Sequence, residues 1–168
     1  MNHEFQHLNQ ELRADRIDGR EFYQALKSIG EFREDLLEAL NECYQNRDWT
    51  NLSRLLWAIT LVPDRRFVPL LCELLDNHRR DGYMEAIAES LSEIRDERSI
   101  PCIKRCLNYH VYGDDSRQFN LKLIDALFRI GTREAVEVIE QGQTSPDEII
   151  REYAEEFMMR LRTDSDAR

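Results

Sequence analysis

Glycine and proline are scarce in this sequence: only six Gly and four Pro occur among 168 residues. Because these two residues interrupt helices and strands more than any others, we expect long helices joined by short turns, and no strands. Hydrophobic residues make up 42% of the chain and charged residues 33%, which is typical of a folded helical protein and not of a disordered one. The length is that of one domain, so we predict a single domain over residues 1–168.

Long apolar runs are also missing. No stretch of about 18 consecutive apolar residues occurs, which excludes a membrane-spanning helix and argues against a membrane partner. Residues 1–7 contain neither the basic segment nor the apolar segment of a secretory signal. We therefore expect a cytoplasmic protein.

Cysteine is limited to four residues, which all lie within helical patterns rather than at loop spacings. They are Cys43, Cys72, Cys102 and Cys106. In a reducing compartment such residues usually act as small core side chains, and we predict this role for all four. The alternative is a metal site in which Cys102 and Cys106, four apart on one predicted helix, join a distant His; the apolar run after Pro101 favours the core.

The sequence has no Gly-rich phosphate loop, no nucleophile elbow and no CxxC pair. We therefore predict no catalytic residues, no cofactor and no metal, and expect a protein that is not an enzyme. One pattern opposes this interpretation, because His3-Glu4-Phe5-Gln6-His7 matches the zinc-protease motif H-E-x-x-H. The match begins at the third residue, where helices fray, and no third ligand is marked out. A solvated helix start is the preferred interpretation.

Acidic residues outnumber basic ones, and the formal net charge is -10. Such a charge repels phosphate backbones, so a nucleic acid is an unlikely partner and a basic macromolecule is favoured. The excess lies at the ends: residues 1–48 hold 11 acidic and 6 basic side chains, and residues 134–168 hold 10 and 4. The middle of the chain is nearly neutral.

A small-Leu-x-x-Ile pattern recurs along nearly the whole chain. Its second position is occupied in turn by Leu26, Ile59, Leu91, Leu127 and Met158, at intervals of 33, 32, 36 and 31 residues. A fixed period of this size is the sequence signature of a solenoid. Each unit is predicted to be an amphipathic helical hairpin that buries its apolar face by stacking on its neighbours.

We therefore predict an all-α fold, an α-solenoid of about four to five stacked helical hairpins. Residues 1–17 are predicted to cap the array, with a helix over 3–15, residues 18–162 to form the repeats, and residues 163–168 to form a disordered tail. Pro69 and Pro101 are 32 residues apart and are expected at equivalent positions of successive units. Gly30 is expected to close the first repeat helix, as C-terminal glycines often do.

The interval of 36 residues locates an insertion in the loop Tyr109-His110-Val111-Tyr112-Gly113-Asp114-Asp115. Insertions in repeat arrays often lie on the binding face, and aromatic side chains beside acidic ones are typical of protein-recognition surfaces. The alternative is that Val111 and one Tyr tuck under the helices. His78 and His110 are 32 apart, so they either flank a common site or act as favourable charges near helix C-termini.

These residues resemble a HEAT-repeat protein of the short bacterial type. Ile150-Arg151-Glu152-Tyr153-Ala154 is similar to the opening of that unit, Ala126-Leu127-Phe128-Arg129-Ile130-Gly131 to its middle, and Ile100-Pro101-Cys102-Ile103 to its end. The resemblance covers about residues 20–162 and implies an α-solenoid. Proteins of this type serve as scaffolds, lyase subunits, DNA-repair modules and immunity proteins. Tyr83-Met84, Phe119-Asn120 and Leu52 replace the usual Val-Arg pair, so the resemblance implies an incomplete Asp-to-Arg ladder between units.

The leading functional hypothesis is a protein-binding module, more concretely an immunity protein that occludes a cognate toxin domain with a complementary charged surface. The net charge favours a basic domain as this partner. The predicted binding residues lie on the second helices of the hairpins and their loops: Glu73, Asp76, His78, Arg105, Tyr109, His110, Tyr112, Asp114 and Asp115. One alternative is a nucleic-acid or DNA-repair module that uses a basic stripe of Arg65, Arg66, Arg79, Arg80, Arg95, Arg98, Lys104 and Arg105. Another is a lyase-like or metal-dependent enzyme.

Overall fold

The computed structural model of the chain describes residues 2–77, 81–109 and 117–166. Within these ranges the protein consists of ten α-helices and three short 3-10 segments, and contains no strand. The helices are α1 (His3–Arg13), α2 (Gly19–Leu26), α3 (Arg33–Gln45), α4 (Trp49–Leu56), α5 (Val68–Asn77), α6 (Asp81–Ile94), α7 (Ile100–Cys106), α8 (Gln118–Ile130), α9 (Arg133–Gly142) and α10 (Glu148–Asp166). The 3-10 segments are Trp57–Leu61, Arg65–Phe67 and Glu97–Ser99. The prediction of an all-α protein is confirmed.

Polar side chains fix where several helices begin. The side chain of Asn2 accepts hydrogen bonds from the Glu4 and Phe5 amides at the start of α1, at 3.0 and 3.1 Å. Asp18 and Glu21 form a capping box at the start of α2, which satisfies two amides that have no partner within the helix. These short-range signals place α1 and α2 close to where the sequence predicted helices.

The last helix extends further than the sequence predicted. It begins at Glu148, where the Asp147 carboxylate accepts from the Ile149 amide at 3.0 Å. The Ser145 hydroxyl accepts from the Asp147 amide at 3.2 Å, so it orders the residue that forms the cap. The helix then continues to Asp166, so the part of the predicted 163–168 tail that the structure describes is helical.

The second repeat contains a break that the apolar pattern did not predict. Leu52, Leu55, Leu56 and Ile59 form the predicted stripe, and all four are fully buried. The α-helix nevertheless ends at Leu56, and residues 57–61 continue as a 3-10 segment. Because a 3-10 helix has three residues per turn instead of 3.6, the change redirects the side chains of this segment while keeping Ile59 in the core.

The repeated apolar positions meet in one hydrophobic cluster. Leu26, Ile59, Leu91 and Leu127 are at most 1% exposed and Met158 is also buried, and all five belong to the same cluster. Burying a leucine side chain contributes roughly 1.5–3 kcal/mol relative to leaving it in water. The periodic positions therefore form the core of the protein, as their spacing predicted.

The helices contact one another in a regular order. We call α2, α4, α6, α8 and α10 the first row, and α3, α5, α7 and α9 the second row. In the first row α4 packs against α6, α6 against α8, and α8 against α10, while α2 packs against the 57–61 segment. In the second row α5 packs against α7 and α7 against α9. Contacts between the rows join α3 to α4, α5 to α6, α7 to α8, and α9 to both α8 and α10.

Gly131, and not Gly30, ends a helix in the left-handed conformation. Gly131 has φ 67° and donates its amide to the Leu127 carbonyl at 3.1 Å, closing α8. The prediction for Gly30 is wrong: α2 already ends at Leu26, and Gly30 has no positive φ. Residues 28 and 29 donate instead to the carbonyls three positions earlier, so consecutive tight turns end this helix without a left-handed residue.

Gly131→Ala is therefore expected to destabilise the protein, while Gly30→Ala is expected to be neutral or slightly stabilising. An L-residue in the left-handed region costs about 1–2 kcal/mol, whereas a Cβ on Gly30 would meet no atom within 4 Å. Urea denaturation of the two variants measures the difference. Equal stabilities for the two variants would contradict the assigned conformations.

The cysteines are only partly as predicted. Cys43 and Cys106 are buried thiols, and burial raises the pKa of the Cys43 thiol to about 11, which keeps it protonated and unreactive. Cys72 and Cys102 are paired as a disulfide between α5 and α7, with Cα atoms 5.5 Å apart. Cys102 is in the core as predicted, whereas Cys72 is only partly buried. The disulfide itself was not predicted, because only the packing of α5 against α7 brings together residues that lie 30 apart in sequence.

Candidate interaction surface

The structure describes four of the nine predicted binding residues. Glu73 and Asp76 lie on α5, Arg105 lies on α7, and Tyr109 follows α7. The other five lie outside the described residues: His78, His110, Tyr112, Asp114 and Asp115.

Three of the four take part in polar links between neighbouring helices. Each link joins residues 29 positions apart: Arg13 to Glu42 at 2.7 Å, the Tyr44 hydroxyl to Glu73 at 3.1 Å, and Arg105 to Asp76 at 2.6 and 2.9 Å. The last two connect α3 to α5 and α5 to α7, so they run along the second row. These links orient the exposed side chains of one helix against those of the next.

Tyr109 is used in packing. Its ring lies edge-to-face on Phe119 with the centroids 6.4 Å apart, and the side chain is half-buried. The Asn120 amide donates to the carbonyls of Leu107 and Tyr109 at 2.6 and 3.1 Å, which ties the end of α7 to α8. Tyr109 therefore packs beneath the helices, which was the alternative given for one Tyr of the 109–115 loop. It can form only a minor part of any binding surface.

A second set of links lies in the turns that precede the second-row helices. In the turns before α3, α5 and α7, an acidic side chain accepts a hydrogen bond from the backbone amide of an arginine two positions later. The pairs are Glu31 and Arg33 at 2.9 Å, Asp64 and Arg66 at 2.8 Å, and Asp96 and Arg98 at 3.0 Å. The acids are 33 and 32 residues apart, which matches the repeat period. Successive turns are also joined, since Arg33 lies 3.5 Å from Asp64 and Arg65 lies 3.8 Å from Asp96.

These turn links, which we call the turn ladder, were missed because the sequence argument considered only the Val-Arg pair at the start of each unit. An acid-x-Arg pattern that recurs at the period was the signal that could have identified them. Asp96 is only 5% exposed and is neutralised by Arg98, whose guanidinium donates to both carboxylate oxygens. Charge-assisted pairs of this kind are stronger than neutral hydrogen bonds.

The turn ladder makes stability sensitive to acid. Hydrogen bonds from Arg66 lower the pKa of Asp64 from its ordinary 3.8 to about 2, and hydrogen bonds from Arg98 likewise lower the pKa of Asp96. A lowered pKa in the folded state means that the unfolded state binds more protons between about pH 4 and pH 2. The stabilisation is therefore complete above pH 4 and is lost as the pH falls through this window.

We expect Asp64→Asn to lower the free energy of unfolding by about 1 kcal/mol at pH 7 and by almost nothing at pH 2. The figure at pH 7 allows for solvent screening, because Arg66 is half-exposed. Urea denaturation at several pH values measures this. A loss that stayed constant between pH 7 and pH 2 would contradict an ionic origin. Glu137→Gln, which removes an exposed partner of Arg133 on α9, is the control and should change stability little.

The exposed side chains of the second row are mostly acidic at its two ends. On α3 they include Glu34, Glu38 and Glu42, spaced four apart on one face. On α9 they include Glu134, Glu137 and Glu140. Of the α3 set, Glu34 and Glu42 are paired with arginines, at 2.5 Å in the case of Glu34 and Arg66. Within residues 2–77, 81–109 and 117–166, Glu38 makes no ion pair or hydrogen bond.

The basic stripe predicted for nucleic-acid binding is largely neutralised where the structure describes it. Arg79 and Arg80 lie outside the described residues. Arg66, Arg98 and Arg105 are each bonded to an aspartate. A cavity of about 380 Å³ is lined by Arg65, Arg95 and Arg98, but it also contains the carboxylates of Asp96 and Glu97, so its charge is mixed.

The H-E-x-x-H pattern lies on α1 with His3, Glu4 and His7 all exposed. Over residues 2–77, 81–109 and 117–166, no group of three or more His, Cys, Asp or Glu side chains is arranged to hold a metal ion. The alternative metal site at Cys102 and Cys106 meets a further obstacle, because Cys102 is bonded to Cys72 and the Cys106 sulfur lies 3.6 Å from the Leu75 carbonyl.

Comparison of the chain with known proteins finds no family model and no curated protein that matches it. In the part of the chain that the structure covers, none of the helices combines the length and apolar character needed to span a membrane. The functional argument therefore depends on the geometry and charges given above.

Proposed function

We infer that the chain is a non-catalytic protein-protein interaction module whose helical hairpins stack as an α-solenoid of the HEAT type. Three observations support this architecture. The periodic apolar positions share one cluster, contacts follow the order of the helices within each row, and the turn ladder repeats with the same period as the apolar pattern. Repeats that contact mainly their neighbours are the defining property of solenoids.

The binding surface proposed for this module is the acidic face of the second row. The observation that carries the proposal is the set of carboxylates on α3 and α5. Glu38 has no partner among the described residues, and Glu73 is exposed while accepting one hydrogen bond from Tyr44. Links from one helix to the next hold these groups in place before binding, which lowers the entropy lost on association. A basic protein surface is the complementary partner.

In its more specific form, the proposal is that a cytoplasmic immunity protein covers the active site of a basic toxin domain. A surface of net charge -10 accelerates the encounter with a basic partner, and this acceleration decreases with ionic strength. The rest of the affinity must come from desolvated contacts near the centre of the interface. The ends of the second row supply the long-range attraction in this scheme.

A photo-crosslinking amino acid at position 38 tests the proposal in the native host. We expect a discrete adduct with a basic protein, and we expect Glu38→Lys together with Glu73→Lys to weaken that complex by at least about tenfold at low salt. The same crosslinker at Glu155, an exposed acid on α10, is the matched control. Equal adducts at positions 38 and 155, or an acidic partner at position 38, would contradict the proposal.

A further inference from the structure

A second surface lies on the first row, away from the acidic α3 and α5 face. A groove of about 430 Å³ opens between α2 and α4, and its walls are mainly apolar. It is lined by Gly19, Arg20, Tyr23, Ser53, Arg54 and Trp57. The volume is within the range of small-ligand and side-chain pockets, about 300–1,000 Å³, and Trp, Tyr and Arg are the residue types most enriched at the energetic centres of protein interfaces.

Trp57 lies at this groove, at the junction between α4 and the 57–61 segment. Its surface is 37% exposed, although its neighbours Leu56 and Ala58 are buried. The Thr60 hydroxyl donates to the backbone carbonyl of Trp57 at 2.8 Å and lies 3.4 Å from the Tyr23 hydroxyl. These contacts link the 57–61 segment to Tyr23, while the indole N–H of Trp57 has no acceptor among the residues that the structure describes.

The rim of the groove is basic, in contrast to the chain as a whole. Arg20 is exposed and makes no ion pair or hydrogen bond with the residues that the structure describes. Lys27 lies over the Tyr23 ring at 5.0 Å and Lys122 over the Trp57 ring at 5.4 Å. Arg54 is bonded to Asp15 at 2.7 Å and Lys122 to Glu89 at 3.0 Å, whereas Arg20 on the groove wall is available to a ligand.

We propose that this groove binds an acidic peptide segment of a partner protein, which inserts an aromatic or large aliphatic side chain between Tyr23 and Trp57 and places a carboxylate on Arg20. The apolar walls favour the inserted side chain, and the planar guanidinium of Arg20 pairs with a carboxylate through two parallel hydrogen bonds. The indole N–H of Trp57 supplies a further donor for a carboxylate or a backbone carbonyl.

The groove and the acidic face of the second row are separate surfaces, and they favour partners of opposite charge. A basic peptide is disfavoured because its cations would be repelled by Arg20. A nucleic acid would find an aromatic and basic groove, but the remaining surface, with its net charge of -10, repels the phosphates on either side of the groove. A short peptide with a few carboxylates avoids most of that repulsion.

The test uses the full chain with Trp49→Phe, which leaves Trp57 as the only tryptophan. Its fluorescence is titrated with an end-capped hexapeptide that carries one Phe and two Asp, and with the same peptide carrying Lys in place of Asp. We expect a saturable change in Trp57 emission with the Asp peptide, and binding at least about tenfold weaker for the Lys peptide because the charge-assisted pair is lost.

Two variants separate the groove from general effects on the fold. Arg20→Ala is expected to weaken binding of the Asp peptide by at least about fivefold and to reduce the salt dependence of binding. Arg133 is an exposed arginine on α9, and Arg133→Ala is expected to leave both the affinity and its salt dependence unchanged. Gly19→Leu is expected to abolish binding by filling the groove. A Cβ at Gly19 would lie at ordinary contact distance, 3.6 Å, from Arg54, so the thermal stability should be retained.

Three results would overturn the proposal. The first is the absence of any saturable change with the Asp peptide at millimolar concentration while circular dichroism shows a folded protein. The second is equal binding of the Asp and Lys peptides. The third is displacement of the Asp peptide by a short oligothymidylate that binds more tightly, because the groove would then be a single-stranded nucleic-acid site.

Discussion

Replacing Leu26, Leu91 or Leu127 with alanine is expected to lower the free energy of unfolding by about 3 kcal/mol in each case. These leucines occupy the same position in three copies of the repeat, and each is at most 1% exposed in one hydrophobic cluster. Each substitution removes buried methyl and methylene groups and leaves a cavity that the surrounding helices fill only in part. The cost therefore includes both the lost transfer free energy and the cavity.

The three variants should also differ in a predictable order. Leu91 lies on α6, which packs extensively against both α4 and α8, whereas Leu26 lies on α2, which packs against α1 and the 57–61 segment near one end of the array. A cavity between two neighbours loses contacts on both sides, so Leu91→Ala is expected to be the most destabilising of the three.

Urea denaturation followed by circular dichroism measures these values. Leu121→Ala is the control, since Leu121 lies on α8 but is only partly buried beside a surface pocket, and it should cost about 1 kcal/mol or less. If Leu91→Ala cost no more than Leu121→Ala, the periodic positions would not form the core and the interpretation of the repeat would be wrong.

Reduction of the Cys72–Cys102 disulfide is expected to lower the free energy of unfolding by about 3.5 kcal/mol. The bond closes a loop whose ends are 30 residues apart in sequence, and breaking it returns conformational entropy to the unfolded chain. The loop includes the whole of α6, so the effect should extend across the middle of the protein. Denaturation with and without a phosphine reductant measures the change.

Thiol titration in denaturant gives an independent check. Two thiols, those of Cys43 and Cys106, should react before reduction and all four cysteines afterwards. Cys72→Ser should reproduce the loss of stability and make it insensitive to reductant, whereas Cys43→Ser should remain sensitive. Four reactive thiols in protein purified without reductant would contradict the disulfide.

The sequence predicted the helical class and the buried apolar positions because both depend on local periodicity. The spacing of Leu26, Ile59, Leu91 and Leu127 can be interpreted from a single sequence, because a helix has 3.6 residues per turn. Features that depend on which helices contact one another could not be predicted in this way. The pairing of Cys72 with Cys102 requires α5 to pack on α7, and no spacing of cysteines within one helix indicates it.

The surface was predicted less well than the core, for a related reason. Glu73, Asp76 and Arg105 were correctly placed on second helices, but their partners on neighbouring helices became visible only in three dimensions. Trp57 was not singled out at all, because the apolar stripe around it predicted a continuous α-helix. Its side chain is nevertheless 37% exposed and lines the groove beside Arg20 and Tyr23 of α2.

The turn ladder has a consequence for how such a chain can change in length. The turns at Asp64 and Asp96 make the same internal hydrogen bonds, and Arg98 also donates to the carbonyl of Arg65 in the preceding turn at 3.1 Å. If an extra copy of residues 64–95 were inserted after residue 95, each pair of successive turns would contain the same hydrogen-bonding groups as the present pair. Tandem duplication of one unit therefore needs no new contacts between turns.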